Sequence, residues 1–405
     1  MNVKRRATAA RPRFLILLPI LIAGCQDIQH QNTADWVSQD VRVSSSPLHD
    51  RFMKGTYYEP VRDFFDSRAA FSPSDPNRPA AWNVDENGQV HDGSFFTNRD
   101  IAAVSPEAAG IGPAANPPVG PWKVLKKPDK HAFKLRRFLG EDATGRKFLV
   151  KVDHEDHPQG ASAVSAVATR VYWLLGYNVP AEHIVTIEGT GDEDFDGKRG
   201  FASEFIPGDV KGFWRFDWFR FRREVRAIRL VAAWLDDIDR TDSNTLLTFH
   251  GDRNLYYLID FDSSLGLWQG RAKLPWMGHR HAWDPNWVLL STIGLAPNPI
   301  IHHEPVSDAV GLLYADDFDP FAWKQQIANS AFRLMARSDA EWIARRMAQV
   351  SREQLAAIVH AARYSNPEDE RYVLETLMAR RVVILKQLGI EPIPSPTQPP
   401  VVSAQ

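Results

Sequence analysis

The chain has 405 residues, 44% hydrophobic and 24% charged, a length and balance that allow a sizeable core and exclude a disordered or fibrous class. Its 48 Lys and Arg against 50 Asp and Glu leave a formal charge of −2, which excludes a general attraction for nucleic acid. One cysteine, Cys25, excludes an internal disulfide framework.

At the start of the chain, Lys4, Arg5, Arg6, Arg11 and Arg13 precede an apolar run from Phe14 to Ala23. Residues 1–24 are read as a signal peptide, because the run is shorter than the roughly 20 residues a bilayer span needs. An uncut N-terminal membrane helix is the alternative. Leu21-Ile22-Ala23-Gly24-Cys25 resembles the lipobox of bacterial lipoproteins. That resemblance implies cleavage before Cys25, a lipid anchor on it, and a place in the cell envelope. Gln26 resembles the sorting pattern of the outer membrane, facing the periplasm. Losing the five basic residues would take the formal charge from −2 to −7.

Residues 25–120 are rich in Pro, Ser, Asn and Asp, with isolated aromatics such as Trp36, Trp82, Phe95 and Phe96. They read as a tether and a loop-rich segment wrapping the strand-rich half that follows, with a linker near residues 112–121. Residues 132–139 and 146–152 read as a hairpin turned by Gly140 to Gly145. Its second strand carries Lys147 and Lys151. A helix over residues 161–175 follows, with Val164, Val167, Ala168 and Val171 on one face, and it stops at Gly176. Strands are expected at 184–188 and from Gly200 through Glu204 to Ile206, separated by an acidic, glycine-rich turn.

A second helix spans residues 222–235, where Ile228, Val231, Ala232 and Leu235 repeat at helical spacing. It leads into Asp239-Arg240-Thr241-Asp242-Ser243-Asn244. Next comes a hairpin, residues 245–249 and 255–259, turned by His250 to Asn254. Asp260-Phe261-Asp262 follows. Antiparallel pairing brings the ends of this hairpin together, so the side chains of Asn244 and Asp260 can reach one cation.

Trp268, Trp276, Trp283 and Trp287 come next. His279, His281, His302, His303 and Glu304 offer a loose transition-metal alternative, with surface or acceptor contacts preferred. Helical regions are expected from Asp319, from a capping box at Ser338 to Glu341, from Ser351, and from Asn366 to about Leu388. Residues 391–405 read as a disordered, Pro-rich tail.

The order of these stretches carries a resemblance. Asp239-Arg240-x-x-x-Asn244 resembles the catalytic loop of phosphoinositide kinases and has the Asp-x-x-x-x-Asn spacing of protein kinases. The segment from Leu258 to Gly266 resembles the phosphoinositide-kinase metal-binding segment. Bacterial HipA-type and CotH-type kinases share such a fold. The resemblance implies an α+β, two-lobed protein-kinase-like fold, with a small antiparallel β-rich N-lobe (residues 121–209) and a larger, mostly helical C-lobe (residues 210–390). It further implies Lys151, with Lys147 second, and Glu204 as nucleotide-binding residues; Asn244, Asp260 and Asp262 as metal ligands; Asp239 aligning the acceptor hydroxyl; and Arg240 steadying the loop or the developing charge. The cofactors are ATP or another nucleoside triphosphate with Mg²⁺ or Mn²⁺. The acceptor is open among protein, lipid, glycan and small molecule.

The chain departs from that pattern in three places. Ser162 and Ser165 stand where the first helix would carry an acid, with Glu155 or Asp156 as substitutes. Asp262 replaces a glycine. Lys126 to His131 occupy the place of a glycine-rich loop. These departures favour the alternative of an inactive pseudokinase serving as an envelope scaffold. Nucleotidyl transfer, and a metal-dependent hydrolase using the histidines, are further alternatives.

Overall fold

Alternating residues from Arg137 to Val152 produce a hairpin with two unlike faces, because successive side chains of a strand point to opposite sides of the sheet. The computed structural model describes residues 78–128, 135–278, 304–327 and 330–391. Its first half runs α1 (Pro106–Ile111), β1 (Lys123–Lys126), β2 (Arg137–Glu141), β3 (Lys147–Val152), α2 (Gly160–Leu175), β4 (Glu182–Thr186) and β5 (Arg199–Glu204). It continues with β6 (Asp209–Gly212), α3 (Arg223–Trp234), β7 (Thr245–Phe249), β8 (Asn254–Leu258), and the two-residue strands β9 (Leu267–Trp268) and β10 (Arg271–Ala272). The last helices are α4 (Ser330–Arg333), α5 (Arg337–Gln349), α6 (Arg352–His360) and α7 (Pro367–Leu388). The protein is mixed α and β, with every named strand pair antiparallel.

The first sheet has the order β1-β2-β3-β5-β4. One face packs Phe138, Phe148, Val150, Val152 and Ala202 beneath Trp122, Ile187 and Phe195. The other face carries Lys151 and Phe201 as direct partners, and Ser203 opposite Glu182. Helix α2 covers this second face and is buried along nearly its whole length. Two glycines make the packing possible. A Cβ on Gly200 would lie 2.1 Å from the carbonyl of Lys151. Gly176 ends α2 at φ +118°, where a Cβ would lie 2.4 Å from the carbonyl of Thr97.

β1 was not expected: the region reads as linker and loop, and the strand is short and largely exposed. β6 is equally short, and it extends the β7–β8 hairpin into a three-stranded sheet.

Within the segment before β1, residues 78–111 pack on the helical side, while Asn116, Pro117 and Val119 meet the β2–β3 turn: Arg146 donates to the carbonyls of Asn116 (2.9 Å) and Pro117 (2.8 Å), and the Ala143 amide to that of Val119 (2.8 Å). Phe95 stacks on Tyr256 with ring centroids 3.9 Å apart and meets Trp214 edge-on, while Phe96 packs against Tyr177 and Trp342. Both join the large core formed with α2, α3 and the C-terminal helices, and α1 packs on α6. Each such buried ring contributes roughly 1.5–3 kcal/mol by leaving water.

At the C-terminal end, α6 and α7 start where expected, capped by Ser351 with Gln354 and by Asn366. The helix expected from Asp319 does not form. The Asp319 side chain instead accepts from the Phe321 amide at 2.9 Å, making a local turn. Helix α5 begins at Arg337, before the expected Ser338 cap. Asp339 accepts from the Ala336 amide at 3.0 Å and, fully buried, also takes Arg223 and Arg226.

The signal peptide, Cys25, His279, His281, His302, His303 and the tail from residue 392 lie outside the described residues. Among the described residues, no helix is long and apolar enough to cross a membrane.

Candidate active site

The β7–β8 hairpin sets the site. Thr245 pairs with Leu258 at its open end, and the Ile259 amide donates to the carbonyl of Asn244 at 3.1 Å. The loop before the hairpin and the segment after it are thereby held side by side. The Asn244 amide nitrogen donates to the backbone carbonyl of Asp239 at 2.7 Å and to its carboxylate at 3.1 Å, which closes the loop on itself. Asp239 and Asn244 are both buried.

Arg240 ties the two stretches together from beneath. Its guanidinium donates to the carbonyls of Asn244 (3.2 Å), Ile259 (2.8 Å) and Asp260 (2.6 Å), and its Nε lies 3.1 Å from Asp237 Oδ2. It also sits 4.7 Å from the ring centroid of Phe261. The Tyr172 hydroxyl, from α2, donates to the same Asp237 oxygen at 2.9 Å. This cage holds Asp260 at φ +60°, a left-handed conformation uncommon for a residue with a side chain.

Above the cage, Lys151 reaches across from β3. Its ammonium lies 2.7 Å from Asp260 Oδ1 and 2.8 Å from Asp262 Oδ2. The lysine side chain is 5% exposed and Asp262 11%, whereas Asp260 is 36% exposed and faces the open side. Three of the residues expected at one centre therefore meet directly, and Asp239, Arg240 and Asn244 adjoin them through Arg240.

The chain is similar to a solved kinase structure. No family model matches it, and no curated protein sequence matches it. Among solved structures it is similar to the Helicobacter pylori proinflammatory kinase CtkA, at 10% identity over 67% of this chain and 98% of that one, with a TM-score of 0.39. At that TM-score, the reading of the site rests on its own residues.

Electrostatics in the site follow from enclosure and from one shared cation. Burial opposes the charge on Lys151, but the two carboxylates override it and hold the ammonium above the ordinary lysine range. Burial likewise opposes the charge on Asp260, and Lys151 overrides it, so Asp260 stays below the usual carboxylate range. Asp262 is pushed up by burial and by the charge of Asp260 beside it. The pair thus splits into a ready anion on the open side and a more basic carboxylate within. Burial also pushes Asp237 up to about 6 against the pull of Arg240.

Not every expected residue joins the cluster. Glu204 opposes Phe148 and so lies on the other face of the sheet from Lys151, 3.7 Å from Arg146. Lys147 is exposed on the same hairpin. Glu155 pairs with Arg136 and Lys198, and Asp156 with His154, while Lys151 pairs with Asp260 and Asp262.

Two residues were missed. Arg137 is the direct partner of Lys151 across β2 and β3, and so shares its face. Glu182, 1% exposed, accepts from Thr169 at 3.1 Å and from Ser203 at 3.0 Å on the Lys151 side of the sheet. Burial pushes it up to about 7, against the hydroxyl of Ser203 and the charge of Lys151. Parity on strands 137–141 and 147–152 carried a signal for Arg137. Nothing local in the sequence marks Glu182.

Proposed function

We propose that the chain is a kinase-like phosphotransferase, built from the strand-rich and helical parts as two lobes around this cluster, and acting on a metal-bound nucleoside triphosphate. The observation that carries the reading is the convergence of Asp260 and Asp262 on one cation, the ammonium of Lys151, from a segment locked to Asn244.

The donor set fits Mg²⁺ or Mn²⁺. Two carboxylates and an amide oxygen are hard ligands of the type those ions take, and a cation already sits between the carboxylates. Among the described residues no three His, Cys, Asp or Glu side chains gather as a metal cluster, so the proposed set depends on Asn244. Asp260, Asp262 and Asn244 would hold the ion, which when bound neutralises the phosphate oxygens of the nucleotide. Lys151 and Arg137 supply phosphate-binding cations from one sheet face, in place of a glycine-rich loop. Asp239, held by Asn244, orients the acceptor hydroxyl. Arg240 is too enclosed to meet the acceptor and works by fixing the loop against Asp260. Such transfer is mostly positioning and charge neutralisation, which is what this constellation provides.

We propose further that a lipid on Cys25, suggested by the lipobox-like Leu21 to Cys25, holds the protein at the cell envelope. Metabolic labelling with palmitate, lost in Cys25→Ala, checks that part.

The catalytic reading is tested by thermal unfolding with ATP, GTP, Mg²⁺ and Mn²⁺, alone and combined. A ligand at a hundred times its dissociation constant stabilises the folded state by about 2.7 kcal/mol. A shift that needs nucleotide and metal together supports the phosphotransferase. No shift with any combination favours an envelope scaffold.

A further inference from the structure

The hydroxyl of Tyr172 and the Nε of Arg240 meet on one oxygen of Asp237, at 2.9 and 3.1 Å. We infer that Tyr172 is a positioning residue for the metal ligand Asp260: acting through Asp237, its hydroxyl keeps Arg240 in the place from which that arginine clamps the backbone of Asp260. The inference rests on the phosphotransferase reading above.

Each part follows from the local chain. Tyr172 lies on α2 at helical spacing from Ser165 and Thr169, and all three are buried on one face. Asp237 follows the end of α3, where Asp236 turns left-handed at φ +49° and the Asp237 amide donates to the carbonyl of Ala232 at 2.8 Å. That turn fixes the Asp237 backbone just before Asp239 and Arg240. Arg240 then spans two stretches: its Nε meets Asp237, and its outer nitrogens donate to the carbonyls of Asn244, Ile259 and Asp260. The ring of Phe261, which stands between the two aspartates in sequence, meets the Tyr172 ring at 5.3 Å between centroids and the Arg240 guanidinium at 4.7 Å.

Asp237 is fully enclosed and has little reserve. Both partners use Oδ2, and Oδ1 accepts no hydrogen bond among the described residues. A buried carboxylate keeps its charge only while donors and a cation offset the lost water. Burial pushes Asp237 up to about 6, the charges of Asp239 and Asp236 add to the rise, and Arg240 and the Tyr172 hydroxyl oppose it. Burial and the charge of Asp237 hold the phenol itself well above its ordinary range, so Tyr172 stays a donor. When Asp237 takes a proton, Arg240 loses its anion and its hold on the Asp260 carbonyl slackens. Asp260 depends on that hold, because its φ of +60° is unfavourable for a residue with a side chain. Tyr172 therefore sets the metal ligand through two intermediaries and takes no part in the transfer itself.

The test compares Tyr172→Phe with Tyr177→Phe in the full chain. Tyr177 is the matched control: its hydroxyl is also buried, but it donates to the carbonyl of Glu224 at 2.9 Å. Each variant deletes one buried hydroxyl, so both should unfold at a somewhat lower denaturant concentration. Titration calorimetry with Mn²⁺·ATP should separate them. Tyr172→Phe should raise the dissociation constant about fivefold, the yield of one ordinary hydrogen bond, and Tyr177→Phe should leave it unchanged. Repeated at falling pH, binding to Tyr172→Phe should fail at a higher pH than binding to the native chain, because Asp237 has lost a donor that opposes its protonation. A purely structural loss would not move that midpoint. Asp237→Asn removes the charge but keeps an oxygen for the hydroxyl, and should weaken binding at least as much as Tyr172→Phe. Unchanged affinity or an unshifted pH profile in Tyr172→Phe, an equal loss in Tyr177→Phe, or full affinity in Asp237→Asn overturns this inference while leaving the phosphotransferase reading standing. A native chain that binds neither Mn²⁺ nor Mn²⁺·ATP overturns both.

Discussion

The ammonium of Lys151 lies 2.7 Å from Oδ1 of Asp260, joining the third strand of the first sheet to a segment 109 residues further along the chain. Neither position is constrained by its neighbours in sequence. The contact exists because the β7–β8 hairpin presents Asp260 at its exit and the closely packed β3–β5 pair presents Lys151 opposite it.

Asp260→Asn should abolish transfer, with activity falling at least about a hundredfold, as for loss of other charge-stabilising groups. Asp260 is partly exposed, and Asp262 remains to hold Lys151, so the fold should survive. Turnover of γ-labelled nucleotide and circular dichroism on the same preparation check both statements.

Arg240→Met should be costly to stability in a way that Asp260→Asn is not. It leaves Asp237 buried beside Tyr172 without its Arg240 cation and takes one donor from each of the carbonyls of Asn244, Ile259 and Asp260. Breaking a buried pair by removing one partner costs about 3–5 kcal/mol. Denaturant unfolding of the variant reads this directly.

Arg137→Ala should raise the dissociation constant for the metal–nucleotide complex about tenfold or more, since hydrogen bonds to charged groups contribute roughly 1.5–3 kcal/mol. Its unfolding midpoint should rise slightly, because a like charge opposite Lys151 is removed. An unchanged dissociation constant would exclude Arg137 from the phosphate site.

Glu182 gives a pH signature. Its folded pKa, pushed up to about 7 by burial, lies above the unfolded value near 4.5. The folded state therefore binds the proton more tightly. That contribution is complete below pH 4.5 and is lost as pH rises through 7, by up to about 3 kcal/mol. Glu182→Gln should flatten the stability profile between pH 4.5 and 7 compared with the native chain.

Phe96→Ala should lower stability by about 3–5 kcal/mol, the usual cost of deleting a buried ring. Phe96 is 1% exposed and packs on Tyr177 and Trp342, far from any cleft role in this account. A loss of only a few tenths would mean that residues 78–111 are dispensable to the core.

Local chemistry made the hairpins readable. The runs of Leu, Tyr and Thr around His250 to Arg253, and the turn at Gly140 to Gly145, fix strand ends within a residue or two, so Lys151, Asn244 and Asp260 could be located before their contacts were known. Helices α2 and α3 followed from apolar spacing, and α2 from Gly176 as well. What was not legible depends on distant packing. β1 is four residues with two exposed lysines and becomes a strand only because β2 offers an edge. Phe95 and Phe96 sit in a segment without periodicity, and their place in the core is set by Tyr256, Tyr177 and Trp342. Glu182 gains its significance from Thr169 and Ser203, on two other elements. That Glu204 lies on the face away from Lys151 was equally hidden, because the face depends on register, and a shift of one residue turns a side chain to the other side of the sheet.

The most direct test of the account is titration of the purified protein with Mn²⁺ and ATP, comparing wild type with Asp260→Asn. The account predicts one nucleotide bound per chain only when metal is present, with binding lost in the variant while its fold is retained. Metal-independent binding, or equal affinity in Asp260→Asn, would contradict it.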